Sequence, residues 1–172
     1  MTDYTAWPVI GRGAERTCYL NPADKTRLVK ISPRKNAKQT LREIKYFRFL
    51  IRRGIPFDHI PQFYGEISGD DFIGFEQEFI PGADLAARAS KGKSSSLRIE
   101  RAEELLESAM FSVSMALKAE PTPEDALEKL KTYLLRYNII PCDLLPDNIV
   151  VKHGTTGPKL ILIDGLGSTE WI

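Results

Sequence analysis

The sequence predicts an α+β chain of two lobes, an antiparallel-sheet N-lobe with one helix and a reduced, mostly helical C-lobe carrying a β hairpin. Three observations predict it. Short β-rich runs cluster before residue 80, and one two-faced helical stretch, 39–53, interrupts them. Near the end, "NIVVKHGTTGPKLILID" reads as strand, turn and strand. A chain of 172 residues is long enough for one domain with a real core, or for two small lobes sharing one.

Taken in order, "WPVIGRGAERTCYL" (7–20) reads as a strand, a glycine-containing turn and a second strand, and "TRLVKIS" as a third. Gln39 to Arg53 is a helix closed by Gly54 and Pro56. "IPQFYGEI" and "FIGFEQEFI" are strand-like, with "SGDD" as the turn between them, and "IPGADL" leaves the sheet. "SKGKSSS" is a polar loop or linker. Residues 98–119 and 123–137 read as amphipathic helices, the second introduced by "PTPED". The lobes then divide as 1–80 and 81–172, with no internal repeat.

Composition narrows the functional classes. Hydrophobic residues at 42% and charged residues at 27% belong to ordinary globular chains, not to disordered ones. No apolar run reaches the ~18 residues needed to span a membrane. The start "MTDYTAWPVIGRG" lacks the basic and apolar regions of a signal peptide. Cys18 and Cys142 have neither metal-ligand spacing nor a disulfide framework, so a cytoplasmic setting is expected.

The net charge of +1 hides an asymmetry. Residues 1–55 hold thirteen Lys/Arg against four Asp/Glu, or +9, and the remainder eleven against nineteen, or −8. The basic half could face polyphosphate, an acidic partner or nucleic acid, or be a solvated charged helix. No aromatic-basic stacking surface or reader motif accompanies it, so nucleic acid is not the expected partner.

On a helical wheel for 39–53, Ile44, Tyr46, Phe47, Leu50 and Ile51 fall on one arc, and Glu43 falls inside it. Burying even a neutral polar group without a partner costs roughly 2–7 kcal/mol, so this acid calls for a cation. Lys30 interrupts the apolar strand "RLVKIS" and is the best-placed upstream donor. The plain alternative has Lys30 reaching to solvent and Glu43 at the edge of the arc.

Gly11 and Gly13 form a spaced pair in a turn between strands, where backbone could approach phosphate oxygens. A dinucleotide site of the Rossmann kind needs a helix after the turn, so the turn's position between two strands argues against one. Arg16 stands where a third glycine would complete G-x-G-x-x-G; it could itself touch a phosphate or merely be exposed, and exposure is expected.

In the closing hairpin, the first residue of one strand lies near the last of the other. Asn148 and Asp164 are therefore brought together, an oxygen pair suited to Mg²⁺ with phosphate and water completing its shell. Asp143, on the loop leading in, could accept a proton from an incoming hydroxyl or orient it. As turn-formers and a strand cap, Asp143, Asp147 and Asp164 would need no ligand.

The ordered set D-x-x-x-x-N, hairpin and "LIDGLG", after the glycine turn, Lys30 and Glu43, resembles the protein-kinase-like fold. More narrowly, "GRGAERTCYLNPAD", "LVKI", "REIKYF", "IPQFYGEI" and "DLLPDNIVV" resemble the PhoP regulatory network (YrbL-like) family of small bacterial proteins. The resemblance implies ATP and Mg²⁺ as cofactors. Gly11 and Gly13 would cover the phosphates, Lys30 would contact them and Glu43 would hold Lys30. The Glu78 carbonyl and Ile80 backbone would hold adenine. Asn148 and Asp164 would bind the metal, and Asp143 would serve an unidentified hydroxyl acceptor.

The chain departs from the protein-kinase pattern at several points. Pro141-Cys142 replaces His/Tyr-Arg, Leu145 stands at a lysine position, and Gly165-Leu166-Gly167 follows Asp164. The sequence ends eight residues after Asp164, as expected of a truncated chain or of an acceptor other than a conventional protein. Two functions follow: a phosphotransferase, or a pseudokinase that works as a regulatory binding module for a protein partner.

Overall fold

The computed structural model describes residues 2–13, 15–81, 124–142, 144–154 and 157–167. The helix expected over 98–119, the "SKGKSSS" stretch and Asp143 lie outside these. The described residues form a mixed α+β structure that divides into two compact units. Of these residues, one unit takes in 2–13, 15–57 and 61–80, the other 58–60, 81, 124–142, 144–154 and 157–167.

The first unit is built on β1 (Val9–Arg12), β2 (Thr17–Leu20), β3 (Arg27–Pro33), β4 (Phe63–Ser68) and β5 (Phe72–Glu78). All pair antiparallel in the order β1-β2-β3-β5-β4. Helix α1 (Lys38–Arg52) packs on β3 and β5. It buries Thr40, Glu43, Ile44, Tyr46, Phe47 and Leu50, the face expected from helical spacing. Phe47 stacks on Phe63 and tilts against Phe75, with centroids 4.9 and 5.6 Å apart. The helix ends where Gly54 turns left-handed (φ 63°), with Ile55 N–H donating to the Leu50 carbonyl.

The second unit joins α2 (Glu124–Arg136) to the hairpin of β6 (Ile149–Gly154) and β7 (Gly157–Leu162). Leu130 and Leu134 of α2 and Ile149, Leu160 and Leu162 of the hairpin are almost wholly buried. Asn138, at φ 51°, supplies the left-handed residue that stops α2, and Ile139 N–H returns to the Leu134 carbonyl. The segment Asp58–Ile60 lies along β7. The Leu162 N–H donates to the His59 carbonyl at 2.9 Å, and His59 Nδ1 donates to the Leu160 carbonyl at 2.8 Å. Burial holds the His59 imidazole pKa below its ordinary value. No described helix is long and apolar enough to cross a membrane.

Candidate functional site

Directly opposed residues of an antiparallel pair share a sheet face. Lys30 on β3 is opposed by Phe75 on β5, and Phe75 meets Phe47 of α1, so Lys30 lies on the face that α1 covers. It is 4% exposed, with its Nζ 5.8 Å from the Phe75 ring centroid. Glu43 enters the same layer from α1 and is 1% exposed. The structure thus buries both charged groups that the sequence singled out, between one helix and one sheet.

Arg16 corrects an expectation. It is not a surface residue but is 6% exposed, and its Nη1 donates to Glu43 Oε2. The physical reason lies in strand alternation. Cys18 opposes Lys30 across β2 and β3, and Arg16, two residues earlier, falls on the same side, toward α1. A carboxylate buried in that layer attracts whichever cation the turn delivers. Glu15 acts beside it: its Oε2 accepts the Gln39 N–H at 3.1 Å. That satisfies a first-turn donor of α1, where the N-cap residue Ala37 has no side chain able to do so.

Gly11 and Gly13 flank this turn, which closes with Gly13 N–H on the Arg16 carbonyl at 2.8 Å. A Cβ at Gly11 would come no nearer than 3.8 Å to Cys18 Cβ, and one at Gly13 would stay 3.7 Å from the Arg16 carbonyl oxygen. Both are ordinary contacts, so packing among the described residues does not demand glycine at either position.

At the end of β5, the Glu78 N–H donates to the Gln62 carbonyl at 2.8 Å and the Phe79 N–H to the Thr26 carbonyl at 2.7 Å. Ile80 follows, buried at 6%. Strand β5, paired with β3 on one side and β4 on the other, thus ends at Glu78 and leads into Ile80, the two positions expected to meet a base.

In the second unit, Ile149 opposes Leu162, and the Ile163 N–H donates to the Asn148 carbonyl at 2.8 Å. Asn148 and Asp164 therefore stand at the same open end of the hairpin, each half-buried. Asp164 Oδ1 accepts the Gly165 N–H at 2.6 Å. Gly165 is left-handed (φ 76°), which sends the chain back past residues 141 and 142. Leu166 bridges Pro141, and the Gly165 carbonyl accepts from both the Cys142 N–H (2.8 Å) and its Sγ (3.3 Å). The residue immediately before Asp143 is thereby fastened beside Asp164, while Asp143 itself lies outside the described residues. Among the described residues no group of three or more His, Cys, Asp or Glu converges. One amide oxygen and one carboxylate suit Mg²⁺, which keeps water and phosphate in its shell, better than a metal needing an all-protein cage.

Sequence reasoning missed Glu15, Arg16 and the Cys142–Gly165 fastening. The signal for Arg16 was present, since a cation stood where a third glycine was looked for. The signal for Gly165 was the "DGLG" spacing itself.

A family model described as PhoP regulatory network protein YrbL matches residues 5–172. Proteins called "Uncharacterized protein YrbL" from Escherichia coli (strain K12) and Shigella flexneri are each 30% identical over 167 residues, covering 95% of this chain and 72% of theirs.

Proposed function

Since the chain belongs to the PhoP regulatory network protein YrbL family, we propose that it is a kinase-like protein that binds ATP with Mg²⁺ and transfers phosphoryl to a hydroxyl acceptor within a PhoP-type regulatory response. The observation that carries this reading is the burial of Arg16, Lys30 and Glu43 at 6, 4 and 1% exposure in one helix–sheet layer. Charged side chains are almost never buried so fully unless paired or in service of a site.

Other features support it. Packing among the described residues does not require glycine at 11 and 13, which is consistent with close approach of a ligand there. With the N–H groups of Glu78 and Phe79 engaged by carbonyls, a base edge at this strand end would be met by the Glu78 carbonyl and the Ile80 N–H. Asn148 and Asp164 would hold the metal, which supplies charge neutralisation at the phosphates. Asp143 would accept or orient the acceptor hydroxyl.

Calorimetric titration of ATP, with and without Mg²⁺, into wild type, Lys30→Met and Asp164→Asn tests the reading. Mg²⁺-dependent binding weakened by both substitutions is expected. No heat at millimolar ATP would sink it and leave a binding module without nucleotide. Binding without turnover, unchanged by Asp143→Ala, would leave a pseudokinase.

A further inference from the structure

The turn between β1 and β2 has little to hold it in place. Strand β1 is a sheet edge, its pairing with β2 is irregular between Val9 and Gly11, and Val9 and Ile10 are 43% and 41% exposed. Yet two successive residues of this turn are fastened to the first two turns of α1. Glu15 accepts the Gln39 N–H at 3.1 Å, and Arg16 reaches Glu43 from a site only 6% exposed. The closing bond from Gly13 N–H to the Arg16 carbonyl, 2.8 Å, links the second glycine directly to the arginine. Guanidinium suits this task better than ammonium because its planar donors fix direction as well as charge.

We propose that Arg16 is a positioning residue for phosphate recognition: by gripping Glu43 it holds the Gly11–Gly13 turn to α1 and so sets the turn's backbone against the polyphosphate of a bound nucleotide. This rests on the nucleotide-binding reading above and adds to it the element that aims the turn. Lys30 and Glu43 then form only part of the buried charged layer; Arg16 ties that layer to the edge of the sheet. Loss of Arg16 acts on phosphates and not on the nucleoside, because the base is met at the other end of the strands, near Ile80.

The experiment titrates ATP, ADP and adenosine with Mg²⁺ into wild type, Arg16→Met and Arg16→Lys, and follows amide hydrogen exchange in the same proteins without ligand. Arg16→Met should weaken ATP by about tenfold or more, the scale of a lost charge-assisted hydrogen bond, and leave adenosine within about twofold. Arg16→Lys should fall between. Exchange at residues 11–18 and at Gln39 should quicken by about tenfold in Arg16→Met while β3 and β5 keep their protection. An equal loss for all three ligands, or unchanged exchange in the turn, would overturn the assignment. If wild type binds none of the three, the nucleotide reading falls, and the clamp stands or falls on hydrogen exchange. Should Arg16→Met not fold, Arg16→Lys carries both arms, with smaller shifts of the same pattern expected.

Discussion

Between α1 and the five-stranded sheet, Arg16, Lys30 and Glu43 sit at 6, 4 and 1% exposure, in a layer whose Phe47, Phe75 and Leu50 are also buried. In the second unit, Asn148 and Asp164 stand half-buried at the open end of a two-stranded hairpin, while the buried His59 is held toward the neutral form. The first unit thus keeps charge inside its packing, and the second keeps charge at strand ends and neutral groups inside. Removing a charge should therefore cost folding in one place and ligand affinity in the other.

The largest expected effect lies in the first unit. Glu43→Ala leaves a buried guanidinium without the carboxylate it faces and should lower stability by about 3–5 kcal/mol in urea or guanidinium unfolding. A loss under about 1 kcal/mol, the scale of an exposed ion pair, would show the layer to be wetter than it looks.

Next comes Gly74→Ala. A Cβ there would overlap the Lys30 carbonyl and stand 3.2 Å from Ile31 Cα, so β3 must shift. Overpacking of this kind costs about 1–3 kcal/mol. Near-neutral stability would mean that the strand carrying Lys30 can slide, and that its placement is less rigid than the comparison assumes.

A smaller effect belongs to His59. Its pKa is lowered mainly by burial, then by nearby Lys159 and Lys129, against the opposing pull of its Leu160 bond and Asp58. As pH falls below about 6.5, the unfolded chain takes up the proton first, so stability drops toward acid and is flat above that range. The slope is at most about 1.4 kcal/mol per pH unit. His59→Gln should flatten unfolding midpoints measured from pH 7.5 to 5; an unchanged slope would place the titrating group elsewhere.

The smallest shift is expected for Asp164→Asn. The amide oxygen can still accept the Gly165 N–H, so stability should change by no more than about 0.5 kcal/mol. A cost near that of Glu43→Ala would erase the contrast between the two units.

Much of this was legible in the sequence, for reasons that are local. The wheel for 39–53 placed Glu43 on the dry face because helical spacing needs only neighbours three and four residues away, and α1 begins one residue earlier than expected. Asn148 and Asp164 could be brought together because antiparallel register follows from the chain's own path. Arg16 could not be placed, since its contact spans 27 positions and depends on the direction in which a tight turn releases the chain. The role of His59 was likewise hidden, its acceptor lying 101 residues further along. Gly165 needed its positive φ to be seen before its part in holding Cys142 made sense.

That last separation bears on how the protein is made. Residues 58–60 leave the ribosome between two strands of the first sheet, yet their hydrogen-bonding partners, Leu160 and Leu162, do not yet exist. At about 5–20 residues per second, translation of the intervening 101 residues takes roughly 5–20 s. The first sheet can close long before that, with three residues of its own connection held in reserve. Closure of the His59 segment then waits on β7, which makes His59 a mark of whether a nascent chain has been translated past Leu162.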